Sequence, residues 1–489
     1  MRLEECVDVT AEVHGDIVEF DGPDDAGNPL NWSIKKKLSI ALVLAFCTFT
    51  VGFNSSLFSS GVSQVSREFH VSHEVGTLGV SLYVMGFATG PIAWAPLSEL
   101  KGRRMPIVIG MFGFAVFSLG VASGKDIQTV LICRFWSGIF GASAMTLTAA
   151  VLADIFDGLA RGPATTAFSI NTLMGPMLAP SVGGFICESY LGWRWTAWLG
   201  ALMGFAGLIL GIVLLEETFA PTLLAQRAHR LRLETGNWSL HAKHEMLVID
   251  TRALVSKYLS RPLILLFTEP LVFLISVYLA FVYGLMYLFL TAYPLCFQSI
   301  HGFSAGIAGL AYFGIAGGLV IGAVFVLCTQ SSYYAKLKAN HGVILPEWRL
   351  PPAMVGSVAF AGGVLWFGWS GYRADIPWIV PVLSGLLTGF GLLTIFQQLL
   401  NFLIDTYLPY AASVNAGSSI IRSLCGAGFP LFAESLFKSL GINWASTLLG
   451  GIAVLCIPIP WAFYRWGPNL RARSKYSVTQ SVRMADGGD

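Results

Sequence analysis

Twelve long apolar stretches dominate the pattern of hydrophobic and polar positions along this chain. A helix needs about 20 mostly apolar residues to cross the hydrocarbon core of a bilayer. These stretches are apolar on every side and lack the alternation of β-barrel strands, so they predict helices. The predicted spans lie at residues 38–58, 75–97, 105–124, 128–152, 164–187, 194–215, 270–296, 305–328, 352–371, 376–400, 409–436 and 442–466.

A long polar segment separates the first six stretches from the last six. Residues 216–269 are polar, and their centre at 226–234 is basic and amphipathic, which favours a helix on the membrane surface over a partner-binding segment. The predicted fold class is an all-α integral membrane protein with twelve transmembrane helices in two six-helix bundles. The predicted domains are an N-terminal tail, a first bundle, a linker, a second bundle and a C-terminal tail, at 1–37, 38–215, 216–269, 270–466 and 467–489.

Composition places most of the chain in lipid. The sequence is 55% hydrophobic and 12% charged, with a mean hydropathy of +0.66, whereas soluble domains carry about 25% charged residues. The net charge of +2 gives no basic excess for binding nucleic acid. Residues 1–37 are acidic and have no apolar core, so they predict a disordered cytosolic tail rather than a secretory signal peptide.

Lysine and arginine residues are distributed unevenly between the two sets of loops. The loops and tail on the side of the amino terminus hold 22 of them, and the opposite loops hold five. The five are Arg67, Lys125, Arg194, Arg373 and Lys438. Because positive loops stay in the cytosol, both termini are predicted to be cytosolic.

Neither catalytic chemistry nor a resident metal or cofactor is indicated. The eight cysteines form no CxxC pair, and a disulfide between Cys187 and Cys296 near the outer face is left open. The sequence has no GxxxxGK[ST] loop for ATP, no HExxH metal motif and no GxSxG nucleophile motif. We therefore predict that the chain is not an enzyme and needs no cofactor, and that an ion gradient, with protons as the ion, supplies its energy.

A charged turn between the second and third spans carries the most informative motif. It reads APLSELKGRR at residues 95–104. It resembles the loop G-x-x-x-D-R-x-G-R-R/K of the major facilitator superfamily, with Glu99 at the acid and Gly102, Arg103 and Arg104 at the last three positions. Ala95 and Leu100 depart from the general pattern. The variant is similar to that of fungal drug:proton antiporters with twelve spans.

Further segments resemble the same fungal branch. RFWSGIFG at 134–141 is similar to the fourth-span motif R-x-x-x-G-x-x-G. GPMLAPSVGG at 175–184 resembles the fifth-span antiporter motif G-P-x-x-G-P-x-x-G-G, with Ala179 at the central glycine. The remaining similar segments are NPLNWS at 28–33, ETFAP at 217–221, EP at 269–270, YGLMY at 283–287 and NAGSSIIRS at 415–423.

The resemblance implies a charge network that latches the two halves of the protein in one state. Its expected members are Glu99, Gly102, Arg103, Arg104 and Asp154, with Asp157 nearby. A partly desolvated network biases a two-state equilibrium by roughly a few kcal/mol. The alternative is that the basic residues only enforce topology. Glu99 and Gly102 add nothing to topology, and they favour the latch.

Buried charges in the spans are the candidates for proton coupling or substrate binding. Arg134 is expected inside the fourth span, where it must face a cavity or a carbonyl unless it snorkels to the interface. The resemblance implies a role in coupling or substrate binding. Arg422 and Glu434 in the eleventh span are either functional or interfacial. The proton carrier is left open between Glu99, Asp154, Glu188, Glu269 and Glu434.

The fifth-span motif and several polar side chains complete the predicted site. Gly175, Pro176, Pro180, Gly183 and Gly184 allow close packing and bending, and in the family this motif accompanies antiporters. The predicted substrate cavity is lined by Asn54, Tyr283, Tyr287, Gln397, Gln398, Asn401 and Asn415, although packing alone also explains the aromatic members. Such a cavity suits a lipophilic or amphipathic small molecule.

The sequence as a whole predicts a secondary active transporter in the plasma membrane. The favoured function is proton-coupled export of a drug, toxin or secondary metabolite by alternating access, by a monomer. One alternative is proton-coupled transport of polyamines, organic acids or nutrients. A second alternative is a transporter-like membrane sensor, which is expected to carry a longer signalling extension.

Overall fold

The computed structural model describes residues 17–22, 24–246, 260–340, 345–474 and 476. Within these ranges the chain is helical and has no strand, and a single isolated bridge joins Ile17 and His241. Eleven helical stretches are long and apolar enough to cross a membrane. The all-helical fold class is therefore confirmed for the part of the chain that the structure describes.

The first six spans are long helices, and a polar side chain caps the start of spans 2, 4 and 5. Ser72, Asp126 and Asp157 each accept a hydrogen bond from a backbone N–H in the first turn that follows them. Short helices at Pro29–Asn31, Phe58–Gly61 and Val62–Glu68 flank span 1. Spans 1 to 6 are Ile34–Leu57, His73–Lys101, Arg104–Ser123, Ile127–Ile155, Gly158–Glu188 and Arg194–Leu214.

The second half repeats this arrangement with more short helices at its ends. Spans 7 to 10 are Pro270–Pro294, Phe313–Ala339, Leu350–Ser370 and Ile379–Thr406. The short helices are Arg261–Thr268 and Leu295–Ile300 beside span 7, Ala305–Leu310 before span 8, Pro346–Arg349 before span 9 and Leu408–Tyr410 after span 10.

The last apolar stretch, Ala411–Ala472, contains two crossings. It is 62 residues long, about three times the length that one crossing needs. The helix Ala411–Cys456 is broken at Gly441, where φ is +77°, and a helix Pro458–Arg473 follows it. Residues before the break lie along span 7, with Gly426 against Tyr283, and residues after it lie along span 9, with Gly450 against Leu365. Residues 411–440 and 442–472 are therefore spans 11 and 12.

The two ends of the bundle are distinguished by the linker. Lys36 at the start of span 1 pairs with Glu216 after span 6, at 2.6 Å, so both lie on the face that carries the linker. We call it the linker face. Glu68 and Arg194 pair on the opposite face.

Part of the N-terminal segment expected to be disordered packs on the linker instead. The linker helix Ala220–Thr235 buries Ala228 against Val18 and Ala242. Arg227 pairs with Asp21 and, at 2.8 Å, with Asp25. The chain itself therefore covers the apolar side of this helix, which the sequence assigns to a membrane surface. Residues 1–16, 247–259 and 477–489 of the predicted tails and linker lie outside the described residues.

The cysteines carry no disulfide within the described ranges. All seven described thiols are free, and Cys187 and Cys296, the pair considered for a bridge, are both buried. Cys296 instead lies 3.3 Å from the carbonyl of Gly371.

Candidate functional site

A cluster on the linker face joins the loop after span 2 to the ends of spans 4 and 6. The Nε of Arg103 donates to Asp154 at 3.1 Å, and its Nη1 donates to Ser98 Oγ at 2.9 Å. The guanidinium also lies over the ring of Phe219, at 4.3 Å. The predicted proximity of Arg103 and Asp154 is therefore observed, but the described contacts join parts of the first half and the start of the linker rather than the two halves. We call Ser98, Gly102, Arg103, Asp154 and Glu217 the linker-face cluster.

The sequence prediction missed two members of this cluster, Ser98 and Glu217, of which Glu217 holds the turn. Its carboxylate accepts the backbone N–H groups of Arg103 at 2.8 Å and Arg104 at 3.1 Å, which begin span 3. The free N–H groups of a helix start attract a negative charge. Gly102 allows this contact, because its φ is +88° and a Cβ there would lie 2.3 Å from Glu217. The ETFAP segment at 217–221 contains Glu217, but no sequence pattern indicated that this segment contacts the charged turn at 95–104.

The other predicted members lie around the cluster in different roles. Arg104 extends to the carbonyl of Ile212 at 2.7 Å rather than to a carboxylate. The backbone carbonyl of Glu99 lies 3.0 Å from the imidazole of His244. Asp157 caps span 5 by accepting from the N–H of Ala160 at 3.3 Å, so it does not join Arg103.

A second cluster on the linker face occupies the corresponding place in the other half. Arg349, before span 9, donates to Asp405 at the end of span 10 at 2.9 Å, as Arg103 before span 3 donates to Asp154 at the end of span 4. Nearby, the buried Glu347 pairs with Arg471 at 2.8 Å. Sequence reasoning found no repeat between the halves, and these pairs were not predicted.

Arg134 is buried within the first half, with all three guanidinium nitrogens paired. It donates to the backbone carbonyls of Gly79, Asn54 and Ser55 at 2.8, 3.0 and 3.2 Å. The rings of Phe58 and Tyr83 flank it. The carbonyl partners predicted for this arginine are therefore present, and the side chain does not snorkel to the interface.

Arg422 of span 11 lies among aromatic rings instead. Its guanidinium lies 4.8 Å from the ring centre of Phe396 and 5.4 Å from that of Tyr283. Its Nη2 donates to Ser419 at 3.2 Å. Its Nε and Nη1 are buried and have no acceptor among the described residues.

Of the two tyrosines predicted for the cavity, Tyr287 connects the halves. Tyr287 of span 7 shares a 3.0 Å hydrogen bond with Ser55 of span 1. Tyr283 lies one turn away, with its ring centre 5.2 Å from that of Tyr287. Tyr83 of span 2 donates to the carbonyl of Val51 at 2.8 Å. All three tyrosines are buried.

The predicted amides are dispersed rather than grouped. Gln397 of span 10 donates to Thr166 of span 5 at 2.6 Å, while Gln398 is buried about 100° further around the same helix. Asn54 packs towards Gly200 of span 6, away from the second half. Asn401 and Asn415 are partly buried. Of the amides, only Gln397 has an observed contact between the halves in the described ranges.

The fifth-span motif packs on two different neighbours. A Cβ at Gly175 would lie 2.8 Å from the backbone of Phe53 in span 1, next to which Pro176 contacts Gly52, and Gly183 also faces span 1. A Cβ at Gly184 would lie 2.5 Å from the carbonyl of Ala305, before span 8. Pro180 lies against Gly309 on that same side. The motif therefore lets span 5 pack closely against span 1 in its own half and against the helix before span 8 in the other half.

A cavity of about 320 Å³ opens on the opposite face between the halves. Its lining includes His73 and Thr77 of span 2, Thr291 of span 7, and Glu434 and Lys438 of span 11. The carboxylate of Glu434 lies 2.5 Å from His73 Nδ1 and 2.5 Å from Lys438. His73 was missed because a histidine at a helix start has no sequence signal for its distant partner.

The remaining predicted carboxylates lie at opposite ends. Glu188 on the opposite face accepts the N–H of Gly306 at 2.9 Å and so joins the end of span 5 to the helix before span 8. Glu269 on the linker face is buried and accepts from the hydroxyl of Tyr407 at 3.1 Å.

Comparison with known proteins identifies the family. Residues 44–430 match the family model of the Major Facilitator Superfamily. An uncharacterized transporter of Schizosaccharomyces pombe, C36.03c, is 48% identical over 93% of this chain and 85% of its own length. The multidrug transporter FLU1 of Candida albicans is 43% identical over 94% and 76%. An ascochitine biosynthesis cluster transporter of Didymella fabae is 42% identical over 94% and 89%.

A solved structure agrees at the level of the fold. The inward-open, partially occluded xylose transporter XylE from E. coli superposes with a TM-score of 0.63 at 19% identity, covering 88% of this chain and 98% of XylE. The relatives named above are fungal, as the resemblance of the charged turn predicts. The chain belongs to the major facilitator superfamily.

Proposed function

We propose that this transporter exports small organic molecules from the cytosol in exchange for protons. The proposal rests on one arrangement of contacts: charged contacts lie at both faces of the bundle, with buried tyrosines between them. The contacts on the opposite face and the hydrogen bond of Tyr287 join the two halves. The names of the FLU1 and ascochitine-cluster relatives support drugs or secondary metabolites as cargo. The linker face is cytosolic in this proposal, the protein acts as a monomer in the plasma membrane, and protons are the coupling ion.

The linker-face cluster is the proposed conformational latch. The guanidinium of Arg103 forms an ion pair with Asp154, while the carboxylate of Glu217 accepts the backbone N–H of Arg103 at the start of span 3. Movement of span 2 relative to spans 4 and 6 breaks both contacts together. Glu99, Gly102 and Arg104 shape and flank the turn, and Arg349 with Asp405 is the corresponding contact in the other half.

The proposed proton-sensitive contact is the pair of His73 and Glu434 on the opposite face. It joins span 2 to span 11 across the mouth of the cavity. A protonated imidazole is positively charged, so a proton taken up by His73 from outside strengthens this ion pair. Protonation from outside therefore favours closure of that mouth, which an antiporter needs to return to its cytosol-facing state. Glu74 and Lys438 also face this pair.

The interior residues receive proposed roles by their contacts. Arg134 positions spans 1 and 2 through their carbonyls. Tyr283, Tyr287 and Gln397 face the seam between the halves and are the proposed cargo contacts, with Asn401 and Asn415 nearby on spans 10 and 11. Glu188 helps close the opposite face, and Glu269 anchors span 7 at the linker face.

Transport in sealed inside-out vesicles tests the proposal. With the vesicle interior acidified, a panel of labelled drugs and metabolites is offered from outside, in wild type and in membranes without the protein. We expect accumulation of at least one compound that collapses when the pH gradient is dissipated. Accumulation that ignores the gradient contradicts coupling, and saturable binding without accumulation identifies a sensor.

A further inference from the structure

Arg422, the partly buried arginine of span 11, differs from Arg134 in having spare hydrogen-bond donors. Arg422 lies 11 residues into the span, about 17 Å from its start, which places it near the middle of the hydrocarbon core. Arg134 spends one donor from each nitrogen on carbonyls of its own half. Arg422 leaves Nε and Nη1 without acceptors among the described residues.

No carboxylate of the described chain neutralises Arg422. Every described ion pair of the spans lies towards an end of the bundle, and none includes this residue. Its neighbours are the faces of Tyr283 and Phe396 and the hydroxyl of Ser419. A charge at this depth needs a polar or ionic partner, and no described carboxylate supplies one to Arg422.

The surroundings specify what kind of acceptor fits. The rings of Tyr283 and Phe396 lie beside the guanidinium as a stacked apolar pair, with planes 26° apart and ring centres 6.5 Å apart. Asn415 and Ser419 share the helix face of Arg422 at intervals of four and three residues, which adds neutral hydrogen-bonding groups. A planar ring system with an oxyanion matches both features, whereas a cation is repelled.

We propose that Arg422 forms an anion-binding site for the cargo, and that the cargo class is aromatic organic anions such as carboxylates. This inference rests on the proposed export function and names its substrate class. The guanidinium plane pairs with the two oxygens of a carboxylate, and the rings of Tyr283 and Phe396 hold the aromatic part. The ring of Tyr283 contacts the ring of Tyr287, which is hydrogen-bonded to Ser55 of span 1, so this site lies next to a contact between the halves.

Two dyes with one ring skeleton and opposite charge test the site. Fluorescein carries a free carboxylate, and rhodamine 6G carries its ester and a positive charge. Binding of each to the purified full chain is measured by fluorescence anisotropy at neutral pH. We expect wild type to bind fluorescein more tightly, and Arg422→Gln to weaken fluorescein binding about tenfold or more while leaving rhodamine 6G binding unchanged or tighter.

Matched variants keep the result interpretable. Arg230→Gln removes the same charge from the exposed side of the linker helix and is expected to change neither affinity. Arg422→Lys keeps the charge without the planar fork and is expected to lie between wild type and Arg422→Gln. If Arg422→Gln does not purify as a folded monomer, the inference is tested by whether wild type binds fluorescein more tightly than rhodamine 6G.

Three outcomes overturn the inference. They are a wild-type preference for rhodamine 6G, fluorescein binding by Arg422→Gln within twofold of wild type, and an equal loss of both dyes. Vesicle transport keeps the two proposals separate. Gradient-driven flux without preference for the anion leaves export standing and removes this site, whereas anion binding through Arg422 without any gradient-driven flux keeps the site and removes export.

Discussion

At the scale of single residues, Gly102 decides how the turn after span 2 meets Glu217. Its left-handed φ of +88° is accessible to glycine at little cost, and the missing Cβ leaves room for the carboxylate. Any larger residue must move Glu217 away from the backbone N–H groups of Arg103 and Arg104. A substitution at Gly102 therefore has two effects, backbone strain and displacement of the Glu217 carboxylate. A substitution at another glycine with a positive φ and open space measures the effect of strain alone.

Gly102→Ala is expected to slow transport about tenfold while the protein still folds and reaches the membrane, because losing contacts to a charged group shifts a two-state equilibrium by about 1.5 kcal/mol. Initial rates in vesicles at matched protein levels measure it. Gly236→Ala is the control, since Gly236 has a φ of +70° with nothing within 4 Å. Equal rates in the two variants show that strain alone matters.

Arg103 and Arg104 are adjacent but have different partners, so their variants should differ. Arg103→Ala removes the partner of Asp154, whereas Arg104→Ala removes a donor to the carbonyl of Ile212. A double-mutant cycle of Arg103→Ala with Asp154→Ala is expected to give a coupling free energy of about 1 kcal/mol in transport rate. The cycle of Arg104→Ala with Asp154→Ala should give about zero, and a larger coupling there would make Arg104 the true partner.

Residues were predictable where a local motif carried them and were missed where the partner is distant. The motif of the charged turn and the family resemblance predicted Arg103 and Asp154 as members of the charge network. The depth of Arg134 in its span predicted that carbonyl groups would pair with it. Glu217 lies 114 positions from Arg103, and Glu434 lies far along the chain from His73. Short-range patterns contain no information about such pairs. The three amides at 397–401 were grouped by sequence, but only Gln397 and Asn401 share a helix face, because Gln398 points about 100° away from Gln397.

At the scale of elements, span 5 acts as the shared wall of the two halves. Its glycines face span 1 at Gly175 and the helix before span 8 at Gly184. The sequence motif correctly indicated close packing, but it did not indicate which neighbours are involved, because small residues permit an approach without specifying a partner. The contact at Gly184 is on the opposite face and crosses the seam.

Gly184→Val is expected to wedge span 5 from Ala305 and to hold the opposite face open. Labelling of Ser63→Cys, which lines the cavity there, by a membrane-impermeant maleimide should become about threefold faster as the open state gains population. Gly362→Val is the matched control, because nothing lies within 4 Å of a Cβ at Gly362. Labelling that is unchanged by Gly184→Val argues against closure by this contact.

The linker helix and the N-terminal segment form a second element that local pattern could not reveal. Arg227→Ala is expected to raise hydrogen exchange in residues 17–22 and 224–231, because Asp21 and Asp25 lose their shared partner. Arg230→Ala, on the exposed side, should leave exchange unchanged. Backbone N–H groups of Asp21 and Gly27, with Arg227, hold the pKa of Asp25 below its usual value. Docking should therefore persist from pH 8 to about 5 and weaken only below about pH 4, as Asp25 takes up its proton.

At the scale of the whole molecule, hydropathy predicted the architecture because lipid leaves the backbone few choices. Long apolar runs must form helices there, and counting them yields twelve crossings. At the end of the chain, the helix breaks at Gly441, within the predicted gap between the spans at 409–436 and 442–466. How the halves approach each other was not predictable, because lipid-facing and partner-facing side chains are equally apolar.

The mouth of the cavity on the opposite face should respond to external pH through His73. In wild type, acidifying the outside from pH 7.5 to 5.5 is expected to speed exchange, and His73→Asn should reduce that increase to less than about half. His70→Asn is the control, since His70 is exposed in the neighbouring turn at a φ of +52°. An unchanged pH profile in His73→Asn excludes this histidine from coupling.

The packing of residues 17–22 against the linker has a consequence for how the protein is made. This segment leaves the ribosome before its partners at 224–242, which follow about 200 residues later, after all six helices of the first bundle. At about 5 to 20 residues per second, that delay is roughly 10 to 40 seconds. The segment cannot dock until the first bundle is complete, so its docking marks the moment when the first half of the protein has been synthesised.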